Sequence, residues 1–219
     1  MQKAISDVAP DVVCYTEIVR TVLPDGHAIE ADADYGYANT DGRRDRRKVI
    51  LWSKTPWTDI DVLGDTGMPS GRFASGVTGG IRFVGVCIPW RDAHVRGGRK
   101  DRKAWQDHLT YCEGLGRVLD RYSKSAEPIC ILGDYNQRIP RVSQPIRVAE
   151  ALLNAMPHDF TICTEGMKDS EGKAIIDHIA VSSSLAARDI KILPRFAEDG
   201  TRLTDHVGVA ARLGKNAIT

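Results

Sequence analysis

Eight short runs of β-forming residues, scattered from residue 11 to residue 213, constrain this chain's fold more than any other feature. They read DVVCYTE (11–17), KVILWS (48–53), IRFVGVCIPW (81–90), PICILGD (128–134), DFTICTE (159–165), AIIDHIAVS (174–182), DIKIL (189–193) and HVGVAARL (206–213). Each is bounded by Gly, Pro, Asp or Ser, the residues that turn a chain between strands. A strand with one wet face alternates apolar and polar residues, whereas several of these runs are continuously apolar. Such runs suit strands covered on both faces, so helices or a second sheet must lie on either side. Two amphipathic patterns supply helices. From Asp101 to Tyr122, Trp105, Leu109, Cys112, Leu115, Leu119 and Tyr122 recur at spacings of three and four. From Pro145 to Met156 the stripe is Ile146, Ala149, Leu152, Leu153 and Met156, with Pro145 suited to a first turn and Pro157 as the stop. The Gly-, Ser-, Thr- and Asp-rich segment from Thr55 to Gly80 carries little periodicity and reads as loop with short strands.

With 219 residues and 42% hydrophobic content the chain can bury a sizeable core, and one domain spanning 1–219 is expected. No apolar run approaches the roughly 18 residues of a membrane span, and MQKAISDVAPDVV lacks the basic and apolar regions of a secretion signal, so a soluble, cytoplasmic monomer is expected. The cysteines at 14, 87, 112, 130 and 163 form no C-x-x-C pair and read as reduced, mostly buried thiols. Lys and Arg number 30 against 29 Asp and Glu, which gives no global argument for a polyanionic partner. Locally, RRDRRK (43–48) and RGGRKDRK (96–103) concentrate positive charge in segments that read as loops or a helix entry and could steer a phosphate-bearing ligand.

Four strand runs deliver acids at or near their ends. Glu17 follows VVCYT, Asp134 and Asn136 follow ICILG, Asp177 sits within AIIDHIAVS, and Asp205 and His206 precede VGVAARL. Strand ends remote in sequence can converge in space, and acids meeting there repel unless a cation is bound; a hard divalent ion is the natural occupant. Taken singly, each has an ordinary explanation: Glu17 a surface acid, Asp134, Asn136 and Asp205 turn residues, His206 a satisfied core or edge histidine. Asp177 resists this, because a carboxylate between Ile176 and Ile179 must be paired, at a strand end, or functional. Its neighbour His178 points to the opposite face and reads as structural. Competing chemistries lack their motifs. GMKDSEGKA (166–174) has one residue too many between its glycines for a phosphate loop and ends on Ala174, and there is no G-x-S-x-G or H-E-x-x-H.

In order, PDVVCYTE, ILGDYN, IIDHIAVS and LTDHVGV resemble the endonuclease/exonuclease/phosphatase superfamily over nearly the whole chain. The resemblance implies a four-layer α/β sandwich, two mixed β-sheets packed face to face with helices outside, and a metal-dependent phosphoesterase site at one edge. Carried over by residue, Glu17 becomes the metal-binding glutamate with Asp205 nearby, suited to Mg²⁺ or Mn²⁺. Asp134 positions and deprotonates the attacking water and Asn136 holds that water or the phosphate. Asp177 orients His206 and keeps it cationic.

The sequence departs from that pattern twice. Members usually begin with a strand carrying an Asn, and here PDVVC arrives within the first dozen residues, so an N-terminal strand is expected to be missing. Where relatives place a His or Tyr near the phosphate, this chain has Cys87 followed by Trp90 and Arg91. These two, with Arg72 and Arg138, are the substrate-binding candidates; lid packing for Trp90 and a surface ion pair for Arg91 remain open. The leading expectation is a Mg²⁺-dependent phosphodiesterase, a nuclease acting on nucleic acid as endonuclease or exonuclease. A phosphomonoesterase on a small or lipid-linked phosphate, and a truncated non-catalytic phosphate-binding module, are the alternatives.

Overall fold

The structure, a computed structural model, describes residues 7–37 and 45–216. All eight β-forming runs are strands: β1 (Val12–Val19), β3 (Arg46–Ser53), β6 (Ile81–Cys87), β7 (Ile129–Asp134), β8 (Phe160–Ile162), β9 (Asp177–Ser182), β10 (Leu185–Leu193) and β11 (Gly208–Lys215). The weakly periodic segments contribute β2 (His27–Glu30), β4 (Thr58–Asp61) and β5 (Phe73–Thr78). Two α-helices, α1 (Gln106–Tyr122) and α2 (Ile146–Ala155), and a short 3-10 helix (Arg20–Val22) complete the described elements.

Three sheets result: six strands in the order β4-β5-β6-β7-β9-β8, three in the order β1-β3-β2, and the β10-β11 hairpin. The six-stranded sheet is mixed, with β6 and β7 parallel and its other pairs antiparallel. This is the α/β sandwich expected, its two larger sheets face to face. Both α-helices lie outside the six-stranded sheet, while the 3-10 helix and turn of residues 20–26 fold over the three-stranded one, where Trp52 Nε1 donates to the Pro24 carbonyl at 3.2 Å.

The continuously apolar runs find their reason in strand parity. Val84, Val86, Ile129, Ile131 and Ala180 face the helices in one core with Tyr111, Leu115 and Leu119. Their neighbours Phe83, Cys87, Cys130, Leu132, Ile179 and Val181 face the second sheet, against Ile29, Val49 and Leu51. A strand sandwiched this way has no wet face and therefore no polar alternation.

The helices differ from their sequence reading in two ways. α1 starts at Gln106 rather than Asp101, because Trp105 is left-handed (φ 68°) and the Gln106 side chain accepts from the Lys103 backbone N–H at 2.9 Å. In α2 the buried stripe is Val148, Leu152 and Ala155, an i, i+4, i+7 series, and Ile146 and Leu153 are 60% and 50% exposed. The stripe is turned by about one residue, since α2 packs against one sheet face and α1 and leaves its outer side to water. The strand β5 was hidden by its small residues. Gly76 lies where a Cβ would come within 2.5 Å of Ile29 Cδ1, so close sheet packing selects glycine over a stronger strand former.

Of the two basic runs, Arg43 and Arg44 lie outside the described residues. Arg46, Arg47 and Lys48 are not loop: they begin β3. In the second run Arg99 and Arg102 pair with Asp101 and Asp107.

Candidate active site

Parity also assembles the acids. In the β7–β9 ladder Asp134 stands opposite Asp177, and in the β6–β7 ladder Asp134 stands opposite Cys87. Asp134 has the parity of Cys130 and Leu132, and Asp177 that of Ile179 and Val181, so both carboxylates project toward the second sheet. There they meet the segment that enters β11. His206 Nδ1 donates to Asp177 Oδ2, while Nε2 faces Asp134 Oδ2 at 4.0 Å and Asp205 Oδ1 at 3.5 Å. Three sequence-predicted acids and the histidine are therefore one cluster.

The GDYN turn is held locally. Asn136 adopts a left-handed φ of 51°. Its backbone N–H donates to Asp134 Oδ1, and its Nδ2 donates to Asp134 Oδ2 and to the Ile88 carbonyl, each at 2.8 Å. Tyr135 turns the other way into the helix-side core, its hydroxyl on the Ile131 carbonyl. Gly133, at φ 134°, sits where a Cβ would fall 2.1 Å from the Val86 carbonyl oxygen of the neighbouring strand. Backbone cannot yield there cheaply, so Gly133→Ala is expected to lower unfolding free energy by about 3 kcal/mol. Urea denaturation reads this as a lower midpoint at unchanged slope, and an unchanged midpoint would refute it.

The electrostatics follow from burial and crowding. Burial, and then the charge of Asp177, push Asp134 up to about 7. Burial also raises Asp177, against the opposing pull of His206. His206 is itself disfavoured as a cation by burial, but its hydrogen bond to Asp177 and the surrounding carboxylates overcome this and raise it to about 10. An acid poised near neutrality beside a permanent imidazolium is a proton acceptor next to a charged donor. His178 has the role its parity suggests: it is buried between Thr164 Oγ1 and the Gln137 carbonyl, and burial lowers it to about 4.

Glu17 stands apart from this cluster, although its charge is felt at Asp134. It has a positive φ of 56°, and its two carboxylate oxygens are engaged by Arg46 and Lys48. Burial works against its charge, but Lys48 and Arg46 hold it below the ordinary glutamate range. Lys48 also lies over the rings of Tyr35 and Tyr37. The sequence marks both cations within RRDRRK as able to steer a phosphate but not as partners of Glu17; only the β1–β3 register, with Thr16 opposite Val49 and Ile18 opposite Arg47, puts that strand face against Glu17. Among the described residues no group of three His, Cys, Asp or Glu side chains is close enough to hold a metal ion. The donor chemistry nevertheless fits a hard cation. Glu17, Asp177 and Asp205 offer carboxylate oxygens along one cleft, and the Asp205 side chain is 72% exposed.

The substrate-binding candidates separate by exposure. Arg72 is only 2% exposed; its Nη1 donates to the Cys87 carbonyl at 3.3 Å, while Nε and Nη2 have no hydrogen-bond partner. It underlies the site rather than opening onto solvent. Trp90 is 49% exposed, two residues beyond the Ile88 carbonyl that holds Asn136. Arg91 is exposed with Asp92 at 3.6 Å, and Arg138 is exposed two residues after Asn136.

Residues 1–206 match the family model described as the Endonuclease/Exonuclease/phosphatase family. No curated protein sequence matches the chain. Among solved structures, an AP endonuclease from Archaeoglobus fulgidus superposes with a TM-score of 0.69 at 16% identity, covering 95% of this chain and 90% of that one. NExo, a 3′ phosphatase from Neisseria bound to a product DNA hairpin, gives 0.68 at 17% identity, covering 97% and 92%. The 3′-5′ exonuclease NExo from Neisseria meningitidis gives 0.65 at 17% identity, covering 96% and 92%.

Proposed function

This chain belongs to the endonuclease/exonuclease/phosphatase family, and from that premise we propose that it is a divalent-metal-dependent phosphodiesterase, a nuclease that cleaves by direct attack of water. The observation that carries the reading is the cluster in which His206 bridges Asp177 and the Asp134–Asn136 turn. Asp134 takes the proton of the attacking water, since an acid near 7 is ionised about half the time at neutral pH and still basic enough to accept. Asn136, with its amide pinned by Asp134 and the Ile88 carbonyl, fixes the carboxylate in the rotamer that faces the water. Asp177 occupies His206 Nδ1, which leaves Nε2 as the donor to a phosphoryl oxygen as negative charge builds there.

A thiolate nucleophile is disfavoured, because burial raises Cys87 and Cys112 to about 12. Trp90, Arg91 and Arg138 suit a nucleic acid: an exposed ring can stack a base while guanidinium groups meet backbone phosphates.

Enzymes of this family generally depend on a divalent metal. Here Glu17 and Asp205 would hold it, and the ion would neutralise charge on the phosphate. Because Arg46 and Lys48 already hold Glu17, metal binding must compete with them. Glu17→Gln is therefore expected to weaken Mg²⁺ binding by about tenfold in calorimetry at pH 7, on the scale of losing one charged ligand. Equal affinity in both proteins would remove Glu17 from the metal site.

The reading is tested by incubating the protein with plasmid DNA, abasic duplex, single-stranded DNA, RNA and phosphomonoesters, each with Mg²⁺, Mn²⁺ or EDTA. Metal-dependent cleavage of a nucleic acid is expected. Hydrolysis of phosphomonoesters alone would favour the phosphatase alternative, and no turnover of any substrate would leave only a phosphate-binding module.

A further inference from the structure

The helix side of the six-stranded sheet, opposite the acids, carries a buried polar chain of its own. Its centre is Gln137, the residue after Asn136, which is held by four different parts of the molecule. Gln137 Nε2 lies 2.6 Å from His108 Nε2 of α1 and 2.8 Å from the Val148 carbonyl in the first turn of α2. Its Oε1 lies 3.4 Å from Gln144 Nε2, and its backbone carbonyl lies 3.0 Å from His178 Nε2 of β9. His108 extends the chain, with Nδ1 2.7 Å from the Pro89 carbonyl.

The direction of every bond in this chain is forced. A carbonyl can only accept, so Val148 requires the nitrogen of the Gln137 amide beside it, and Pro89 requires the His108 proton on Nδ1. His108 Nε2 is then bare and accepts the second N–H of Gln137. By the same reasoning His178 carries its proton on Nε2, which leaves Nδ1 to accept from the Thr164 hydroxyl. Both N–H groups of Gln137 and both nitrogens of each imidazole are used in one arrangement only, with the two rings neutral and in opposite tautomers. Burial, which lowers His108 to about 4, agrees with a neutral ring at pH 7.

The chain runs between the two segments that face substrate. Pro89 precedes Trp90, and on the other side of Trp90 the Arg91 carbonyl accepts from the Trp105 N–H at 2.7 Å, just before α1 begins. Gln137 follows the Asp134–Asn136 turn, whose front is fixed by Asn136 Nδ2 on the Ile88 carbonyl. The segment after β6 is thus tied to that turn twice, directly at Ile88 and from behind at Pro89 through His108. Apolar residues of the same volume would stabilise this core as well. A fully satisfied polar chain adds something different, because it selects one geometry.

We infer that Gln137 and His108 are positioning residues, which set the Asp134–Asn136 turn against the Trp90 segment so that a phosphoester held by one meets the water activated by the other. This rests on the hydrolytic reading of the acid cluster. Both side chains are buried behind the sheet and act only through the turn and the Pro89 carbonyl. Cutting their link leaves Trp90 and the exposed arginines able to bind, while the base shifts; a misplacement of about 1 Å costs on the order of 100-fold in rate.

Two variants cut the link from opposite ends. Gln137→Met keeps the length of the side chain and removes its amide, and His108→Asn keeps a donor for the Pro89 carbonyl and removes Nε2. On whichever substrate the parent cleaves, each is expected to lower kcat about 10- to 100-fold with KM within about threefold. The double variant should lose no more than the worse single one, because both effects pass through one contact. Hydrogen exchange at the Asn136 N–H should quicken about tenfold while the centres of β6 and β9 stay protected. A measurement on the parent needs no variant to fold: nitrogen NMR at pH 7 should find His108 neutral with its proton on Nδ1 and His178 neutral with its proton on Nε2. A His108 proton on Nε2, kcat retained in both variants, or losses that multiply in the double variant would each overturn the inference. A parent that turns over no substrate would overturn the hydrolytic reading and this inference with it, whereas an active parent with active variants would overturn this inference alone.

Discussion

Asp134→Asn is expected to reduce hydrolysis about a thousandfold or more while leaving the fold intact. The asparagine keeps the shape of the side chain and one oxygen for the Asn136 backbone N–H, which Asp134 accepts at 2.8 Å. What disappears is a carboxylate poised to accept a proton near neutral pH, and general-base catalysis of this kind contributes about 10² to 10⁴ in rate. A thousandfold corresponds to about 4 kcal/mol of transition-state stabilisation. Thermal unfolding separates chemistry from folding. Asp134 is buried against Asp177, so removing its charge relieves repulsion, while the new amide opposes the Asn136 Nδ2 donor that Asp134 Oδ2 accepted, and the two effects should leave the melting temperature within a few degrees of the parent. A variant that melts normally and still turns over at more than a tenth of the parent rate would remove Asp134 from the role of base.

His206→Ala carries the second largest effect, about 100- to 1,000-fold in kcat, the scale of losing one charged donor to a developing oxyanion. Its signature lies in the pH profile. Activity requires Asp134 without its proton and His206 with one, so the rate should rise as pH passes about 7 and fall as it passes about 10. A cation held at Glu17 would favour the ionised form of Asp134 and so move the acid limb lower. In His206→Ala the alkaline limb should vanish while the acid limb stays, since the imidazole that loses its proton there is gone. Asp177→Asn should instead shift the alkaline limb toward the ordinary histidine range, because Asp177 supplies the hydrogen bond and charge that lift His206. An alkaline limb unchanged in His206→Ala would assign that titration to another residue.

The predictions rest on parts of the molecule that were unequally legible in the sequence. The strands β6, β7 and β9 could be read directly, because burial on both faces writes itself into consecutive residues as an apolar run. β5 could not, since Ser75, Gly76 and Thr78 are there for close packing and cross-strand bonding rather than for strand propensity. The helices were legible in period but not in phase: the α2 stripe falls on Val148, Leu152 and Ala155, and only the position of α1 and the sheet decides which side is buried. The start of α1 depends on the turn at Trp105, a contest among loop hydrogen bonds with no periodic trace.

Within the site the same division holds. Asp177 stood out because a carboxylate inside an apolar strand must be accounted for, and its partner proves to be His206, 29 positions away. Arg72, expected at the substrate, lies buried under Cys87, because its place beside β6 was set by the pairing of Phe73 with Val86. Glu17 was legible as an acid at a strand end, but its hold by Arg46 and Lys48 was not.

By itself the sequence determined the types of element, the α/β class and the four residue groups that stand as site candidates, because propensity, turn chemistry and burial act over a few neighbours. Tertiary structure alone decided that Asp134 stands opposite Asp177, that Lys48 and Arg46 reach Glu17, and that β1 and the segment entering β11 line one cleft. Those facts depend on strand register and sheet order. A one-residue slip in either ladder would turn every one of these side chains to the opposite face, and register is set by contacts between segments far apart in the chain.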